Sequence, residues 1–345
     1  MISKDKKIVI VGAGAIGGTL GAWLTPQNEN VYMLDRGEVA ERIRESGITV
    51  FAEGRREHAE TIPVKTITDI SEIPNVDIII LAVKNYSLDQ VATHVRNQVE
   101  GEPIIVALQN GVENQEILPK YFKNIIYGVV GYNAWLEEPA TIGYQSKGPY
   151  ILGTLHPELT TELAEVEAIF KRGVETIVTD HFQDAAYSKM IINLTNSFTT
   201  LVGHKYREIT DFLIFKKILT NLLYEGVQIV KATGYKECKI GDMPSWFTIT
   251  SIVKLPQFVT NGAFRKNLAK MVLSSMGQDI IQRQGTESEL DSLNGYFIKL
   301  ADQAGLAVPY NRAIYQLCKE QFSKTPFKPL TEREVWERIR LEMEK

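Results

Sequence analysis

Cysteine is nearly missing from this chain: Cys238 and Cys318 are the two among 345 residues, far apart and outside any paired spacing. That excludes a disulfide framework and a cysteine-ligated metal, and both thiols are expected free in a reducing compartment. Histidine is also scarce. His58, His94, His156, His181 and His204 show no i, i+4 ligand spacing, so no metal site is expected. No run reaches the ~20 apolar residues that span a bilayer. Residues 1–7 lead into an apolar strand pattern without the long apolar core of a secretory signal, so a cytoplasmic protein off the membrane is expected. Charge of either sign is not in excess. With 38 basic and 42 acidic residues the formal net charge is −4, which gives nucleic acid or an anionic membrane no electrostatic reason to bind. Repeats and low-complexity tracts are absent as well.

What is present is ordinary globular material, 44% hydrophobic and 23% charged, in a length that accommodates two domains. The first half alternates short aliphatic runs (8–11, 31–34, 77–83, 103–108, 125–130) with stretches of helical length such as 88–99. That alternation predicts βαβ units in a parallel, doubly wound Rossmann-type sheet. Residues 141–145 and 150–153 flank Ser146-Lys147-Gly148-Pro149, which reads as a hairpin closing the sheet. Beyond about residue 179 strands give way to helical periodicity over 184–202, 211–233, 267–284, 287–305 and 310–322. Thr331-Glu332-Arg333-Glu334 is a capping-box pattern opening a last charged helix. The expected fold class is α/β, with a dinucleotide-binding domain over 1–180 followed by an all-helical substrate and dimerisation domain over 181–345.

The sharpest motif is Gly12-Ala13-Gly14-Ala15-Ile16-Gly17, set between the first strand and a helix. The first glycine permits the tight turn, the second lets backbone approach a pyrophosphate, and the third allows close helix–strand packing. The pyrophosphate then meets a helix N-terminus, where exposed N–H groups and the helix dipole favour an anion. At the end of the second strand stand Asp35 and Arg36. Asp35 is placed to bond the ribose hydroxyls of NAD and to repel a 2′-phosphate; Arg36 is placed to pair with that phosphate or stack on adenine.

Joined to segments further on, this fingerprint makes the chain resemble the ketopantoate reductase family, the 2-dehydropantoate 2-reductases and their 2-oxo acid reductase relatives. The matching segments are Ala82-Val83-Lys84, Leu108-Gln109-Asn110-Gly111 and Lys189-Met190-Ile191-Ile192-Asn193. Two more follow: Ser274-Ser275-Met276-Gly277-Gln278-Asp279, and the run from Glu289 through Leu290-Asp291 to Asn294-Gly295. The resemblance spans about residues 7–320. It implies that Lys189 is a general acid for the carbonyl oxygen, that Glu289 is its acidic partner, and that Asn193 and Asn110 orient substrate and nicotinamide. It further implies that Ser275 bonds the substrate carboxylate and that Lys84 lies on the cofactor side. Acid catalysis by a lysine at neutral pH calls for a lowered pKa.

Three departures from the family pattern bear on the substrate. Where the family places an asparagine one helical turn beyond Asn193, this chain has Ser197, with Asn196 one position early. The run from Asp279 to Glu289 is about two residues longer than is typical, which leaves Glu287 as a competitor for the acid. Val272 stands where a substrate-contacting asparagine is expected, which removes a partner for a substrate hydroxyl and suits a more apolar 2-oxo acid.

The resemblance thus implies reduction of a 2-oxo acid, ketopantoate foremost, to a D-2-hydroxy acid. NADPH is the expected cofactor, with NADH admitted by Asp35, and a homodimer is expected by analogy. A mandelate-type D-2-hydroxy acid dehydrogenase and a non-catalytic NAD(P)-binding sensor are the alternatives.

Overall fold

Short runs of isoleucine, valine and leucine bounded by polar turns form the buried strands of the computed structural model, which describes residues 6–241 and 243–345. In chain order these are β1 (Ile8–Val11), β2 (Val31–Leu34), β3 (Ile48–Ala52), β4 (Glu60–Ile62), β5 (Lys65–Ile67) and β6 (Ile78–Leu81). They continue as β7 (Ile104–Ala107), β8 (Ile125–Val130), β9 (Ala134–Glu138), β10 (Thr141–Tyr144), β11 (Tyr150–Gly153) and β12 (Thr176–Val178). The main sheet runs β12-β11-β8-β7-β6-β1-β2-β5. From β5 to β8 every neighbour pairs in parallel. Beyond them β11 lies antiparallel to β8 and parallel to β12. Strands β1, β6 and β7 are buried at every position, as parallel strands covered on both faces must be. The connections reverse direction at β1, and ligands of such sheets bind outside the strand ends at that point.

Helices α1 (Ala15–Leu24), α2 (Gly37–Ser46), α3 (Asn85–Gln98), α4 (Asn114–Ile117) and α5 (Thr160–Phe170) accompany the strands. A buried hydroxyl chain crosses this layer: Thr19 of α1 lies 2.8 Å from the Tyr132 hydroxyl, which lies 2.7 Å from that of Tyr150 in β11.

The expected hairpin of residues 141–153 does not form. Strand β10 belongs to a separate sheet of order β4-β3-β10-β9, parallel to β3 and antiparallel to β9. The turn that reverses the chain comes earlier, at Pro139-Ala140, where Ala140 adopts φ 63°. Packing explains the choice. Ile142 is fully buried with its Cδ1 where a side chain on Gly18 of α1 would be, and Gly143 leaves room for the Trp135 ring.

The chain divides into two compact units, the second running from Gln183 to Lys345. Its helices are α6 (Phe182–Leu201), α7 (Phe212–Ala232), α8 (Trp246–Lys254), α9 (Gln257–Lys270) and α10 (Ser275–Gly277). They are followed by α11 (Tyr296–Gln303), α12 (Pro309–Phe322) and α13 (Glu332–Met343). The capping box on α13 forms as its sequence predicts, with Thr331 and Glu334 bonding each other's backbone. Two expected helices differ. The one over 267–284 is cut at 271–274, because the Ser274 side chain accepts the Gly277 N–H at 3.0 Å and starts α10 afresh. The one over 287–305 starts only at Leu290, and both it and α10 adjoin π-helical turns, Asp291–Gly295 and Gln278–Gln282. The extra residues between Asp279 and Glu289 are taken up by a loop in which Gln284 has φ 53°.

A buried carboxylate holds the helical unit together at its centre. Glu225 of α7 accepts the backbone N–H groups of Tyr310 at 3.0 Å and Asn311 at 2.8 Å, and the Asn311 side-chain amide at 3.0 Å. It thereby caps α12, whose first residue Pro309 has no N–H to satisfy. Burial pushes its pKa from 4.5 up to about 7, against the pull of those hydrogen bonds. The folded state therefore holds a proton that the unfolded chain releases, so stability is fully present below pH 4.5 and declines as pH rises towards about 7. Denaturant titration should show that decline as on the order of 1–3 kcal/mol. Glu225→Gln should flatten it over the same range; an unaltered slope would put the titrating group elsewhere.

Candidate active site

The glycine loop is shaped by close approach. Gly12 takes φ +96°, and a Cβ on Gly17 would stand 1.9 Å from the Gly12 carbonyl oxygen. A Cβ on Gly14, in contrast, would meet no atom within 4 Å. Gly14 is the N-cap of α1 and offers no side-chain cap, so the N-terminal N–H groups of the helix face open ground. Backbone curvature, a clear approach at the second glycine and an uncapped helix end are the features a pyrophosphate needs, and the loop fits one.

Asp35 is drawn into this loop. One carboxylate oxygen accepts the Ala13 N–H at 2.6 Å and the other the Arg36 N–H at 2.7 Å. The exposed Arg36 guanidinium lies 2.8 Å from the His94 ring on α3. Asp35 therefore props the fingerprint while Arg36 reaches away from it, towards the outer face of α3.

At the ends of β6 and β7 lie Lys84, Asn85, Gln109 and Asn110. Lys84 is the N-cap of α3. Gln109 donates to the carbonyls of Leu81 at 2.7 Å and Val83 at 3.3 Å, lashing the two strand ends together. Asn85 donates to the Asn110 carbonyl and so fixes the turn that Gly111, with φ +95°, makes possible. The buried Asn85 Oδ1 has no partner among the described residues. Asn85 adds to the residues read from sequence, and its place beside Lys84 was the signal for it.

In the helical unit, α6 carries the lysine. Between residues 185 and 202 its partly exposed positions are Lys189, Ile192 and Asn196, spaced i, i+3, i+7 along one stripe. Everything else in that span is buried, Asn193 included. Ser197 is fully buried and donates to the Leu194 carbonyl at 2.8 Å. The amide on the lysine's stripe is therefore that of Asn196. Lys189 is partly exposed, yet the protein around its ammonium strips away enough water to pull its pKa from 10.5 down to about 8.

Ser275 is the first residue of α10, and Ser274 beside it lies 3.1 Å from Thr200 near the C-terminal end of α6, which ties the two helices. Burial separates the competing acids: Glu287 is exposed, whereas Glu289 is 5% exposed at the foot of the following helix. The structure brings Lys189, Asn193 and Asn196 onto one helix. It brings Asp35 to Gly12-Ala13-Gly14, and Lys84 to Asn110 through Asn85. Among the described residues no group of three or more His, Cys, Asp and Glu side chains is arranged to hold a metal.

A Rossmann sheet with this loop and this strand order defines a dinucleotide-binding protein. Residues 8–157 match the family Ketopantoate reductase PanE/ApbA, and residues 181–321 match its C-terminal domain. The chain belongs to the ketopantoate reductase family. It is 30% identical over 322 residues to a 2-dehydropantoate 2-reductase of Pyrococcus horikoshii, covering 92% of this chain and 98% of that one. A counterpart from Pyrococcus abyssi is 28% identical over 91% of this chain and 97% of its own. Among solved structures, a ternary complex of D-mandelate dehydrogenase with NADH and anilino(oxo)acetate superposes with a TM-score of 0.75 at 20% identity, covering 93% of this chain and 100% of that one. The 2-dehydropantoate 2-reductase of Geobacter metallireducens superposes with a TM-score of 0.73 at 23% identity, over 91% and 99% of the two chains. The protein is an NAD(P)-dependent oxidoreductase of the 2-dehydropantoate 2-reductase type.

The glycines separate folding from cofactor binding. Gly14→Val should leave the thermal transition near its original position yet weaken nicotinamide dinucleotide binding, followed by cofactor fluorescence. Gly17→Ala should lower stability by on the order of 1–3 kcal/mol or more, because backbone must move. Unchanged cofactor affinity in Gly14→Val would reduce the fingerprint to a structural turn.

Proposed function

We propose that the protein reduces the keto group of a small 2-oxo acid to a D-2-hydroxy acid, with ketopantoate as the first candidate substrate. The observation that carries this is Lys189, a lysine whose desolvation lowers its pKa to about 8, on the same open stripe of α6 as Asn196. The domain over 1–180 holds the dinucleotide and that over 181–345 the substrate. When bound, the nicotinamide supplies hydride to C2 of the substrate. Lys189 polarises the carbonyl and passes its ammonium proton to the oxygen as negative charge develops there. A lysine near its pKa at neutral pH gives up that proton far more readily than a solvated one. Glu289, itself buried, orients the lysine or the substrate hydroxyl. Asn193, Asn196 and Asn110 fix substrate and nicotinamide by hydrogen bonds, and Ser275 bonds the carboxylate.

A second reading, a mandelate-type dehydrogenase, is favoured by Val272. In place of an amide this position offers an apolar surface, which rewards a substrate lacking a hydroxyl. A homodimer is supported by the exposed apolar side chains on α8 and α9, with Phe247 80% and Phe258 83% exposed. A cytoplasmic location is consistent with the described residues containing no helix long and apolar enough to cross a membrane.

Lys189→Ala should keep cofactor affinity and lose kcat by about 10²-fold or more. The proton donor must be protonated, so reduction by the intact enzyme should be full below pH 8 and fall as pH rises through about 8. Stopped-time assays by nicotinamide absorbance across pH check both; near-normal turnover in the alanine variant would place the donor elsewhere.

NADPH is the proposed cofactor, with NADH close behind. Arg36 is exposed and oriented outward, available to a 2′-phosphate, while the Asp35 carboxylate is engaged by two backbone N–H groups. Side-by-side kinetics should show Arg36→Ala shifting preference towards NADH and Asp35→Ala towards NADPH. A strong NADH preference untouched by Arg36→Ala would assign the choice to Asp35.

A further inference from the structure

Between the end of β2 and α3 an arginine leans on a histidine. Arg36 is exposed, His94 is half-buried on α3, and a guanidinium nitrogen lies 2.8 Å from Nε2 of the ring. A guanidinium only donates, so Nε2 is the acceptor and the ring hydrogen sits on Nδ1. The contact as it stands therefore belongs to the neutral imidazole. It fixes where the guanidinium points without cancelling its charge, because the acceptor is an imidazole and not a carboxylate. The cation is also tethered close to the dinucleotide loop, since Arg36 follows Asp35, whose carboxylate holds the Ala13 N–H.

The other charges around the ring are already engaged. One turn away on α3 stand Gln90, Val91, Asn97 and Gln98, none of them charged. Elsewhere on α3, Asp89 accepts from the Tyr121 hydroxyl at 2.9 Å and Arg96 donates to the Gly101 carbonyl at 3.0 Å. From the segment after β5 comes Asp69. Its carboxyl is held below the ordinary range first by the Ser71 hydroxyl and N–H, then by the Gln98 amide, and last by the charge on His94. Glu72 beyond it accepts the N–H groups of Thr68 at 2.8 Å and Asp69 at 2.9 Å. Arg36 is the charged group in direct contact with the ring.

A phosphate monoester carries close to two negative charges at neutral pH and offers three acceptor oxygens. Set against this pair, it takes a hydrogen bond from the guanidinium and has acceptors left for a second donor. The ring becomes that donor only by changing state. Nε2 gains a proton, and the imidazole turns from acceptor of Arg36 into donor to the phosphate, a bond with charge on both sides. A ribose 2′-hydroxyl is neutral and gives the ring no reason to change. We propose that His94 is the proton-linked half of the 2′-phosphate site, so that NADPH binding takes up a proton there and the preference for NADPH over NADH rises as pH falls. The proposal rests on NADPH as the cofactor and on Arg36 as the partner of its phosphate.

The test titrates the full-length protein with NADPH and with NADH by nicotinamide fluorescence at pH 6.5 and 8.5. Calorimetry at pH 7.5, in two buffers of different ionisation enthalpy, counts the protons exchanged with each cofactor. The affinity ratio should favour NADPH about tenfold more at pH 6.5 than at pH 8.5, within the roughly 100-fold that one linked proton can supply over two pH units. Net proton uptake should accompany NADPH and not NADH. The second ionisation of the phosphate itself, near pH 6, has the opposite sign, because binding to a cation expels that proton. His94→Gln keeps an acceptor for Arg36 and a donor for the phosphate but cannot titrate. It should abolish both the pH dependence and the uptake while NADH binds as before. Persistence of either effect in His94→Gln, their absence from the intact protein, or an equal loss of both cofactors overturns the role of His94. A preference that Arg36→Ala still moves towards NADH then leaves the NADPH reading in place. If NADPH binds no tighter than NADH at either pH and Arg36→Ala changes neither affinity, the cofactor reading falls and the proposal with it.

Discussion

Helix α1 passes so close to the end of β1 that the Gly12 carbonyl oxygen occupies ground a Cβ on Gly17 would need. That contact sets the angle at which α1 leaves the sheet, and much of the first unit follows from it. The helix N-terminus is aimed over the strand ends, Ala13 is presented to Asp35, and Gly18 is brought to Ile142 of the smaller sheet. A protein with a larger residue at position 17 would have to tilt the helix outward and lose all three together. The dinucleotide loop is thus less an ornament on the sheet than a by-product of how tightly its first helix packs.

The second unit works through desolvation. Lys189 and Glu225 lie on neighbouring helices and both give up part of their charge to the apolar interior. For Glu225 the return is structural, since its oxygens satisfy the start of α12. For Lys189 no such structural return accompanies the burial, which is why a chemical role is the natural reading. The contrast shows why a perturbed pKa alone does not mark a site: the Glu225 shift accompanies a helix cap.

Most of the sheet could be read from sequence, because buried parallel strands are nearly uninterrupted aliphatic runs and the glycine loop has a mechanical reason for each of its glycines. The hairpin at 141–153 was misread because Ser146-Lys147-Gly148-Pro149 carries a stronger turn signal than Pro139-Ala140, and only packing on α1 decides between them. The cut at 271–274 was invisible for a similar reason: Met271, Val272 and Leu273 suit a helix, and it is the Ser274 cap that restarts it. Lys189 stood out through its register with other motifs rather than by itself. Glu287 and Glu289 differ in burial, which has no signature in so short a run.

The hydroxyl chain through the first unit has a direction. With the one hydrogen of Thr19 on the carbonyl of Ala15 or Ile16, at 2.8 and 3.0 Å, its oxygen accepts from Tyr132, the arrangement that gives every hydroxyl hydrogen of the chain an acceptor. Tyr132, having donated inward, can only accept from Tyr150. All three hydrogens therefore point towards α1, like links that can be removed from one end only. Losing the Tyr150 hydroxyl deprives Tyr132 of a bond it accepts and strands no donor. Losing the Tyr132 hydroxyl leaves the Tyr150 hydrogen buried with nowhere to go, at a cost of about 1–3 kcal/mol. Phenylalanine is thus easier to tolerate at position 150 than at position 132, although both rings are buried.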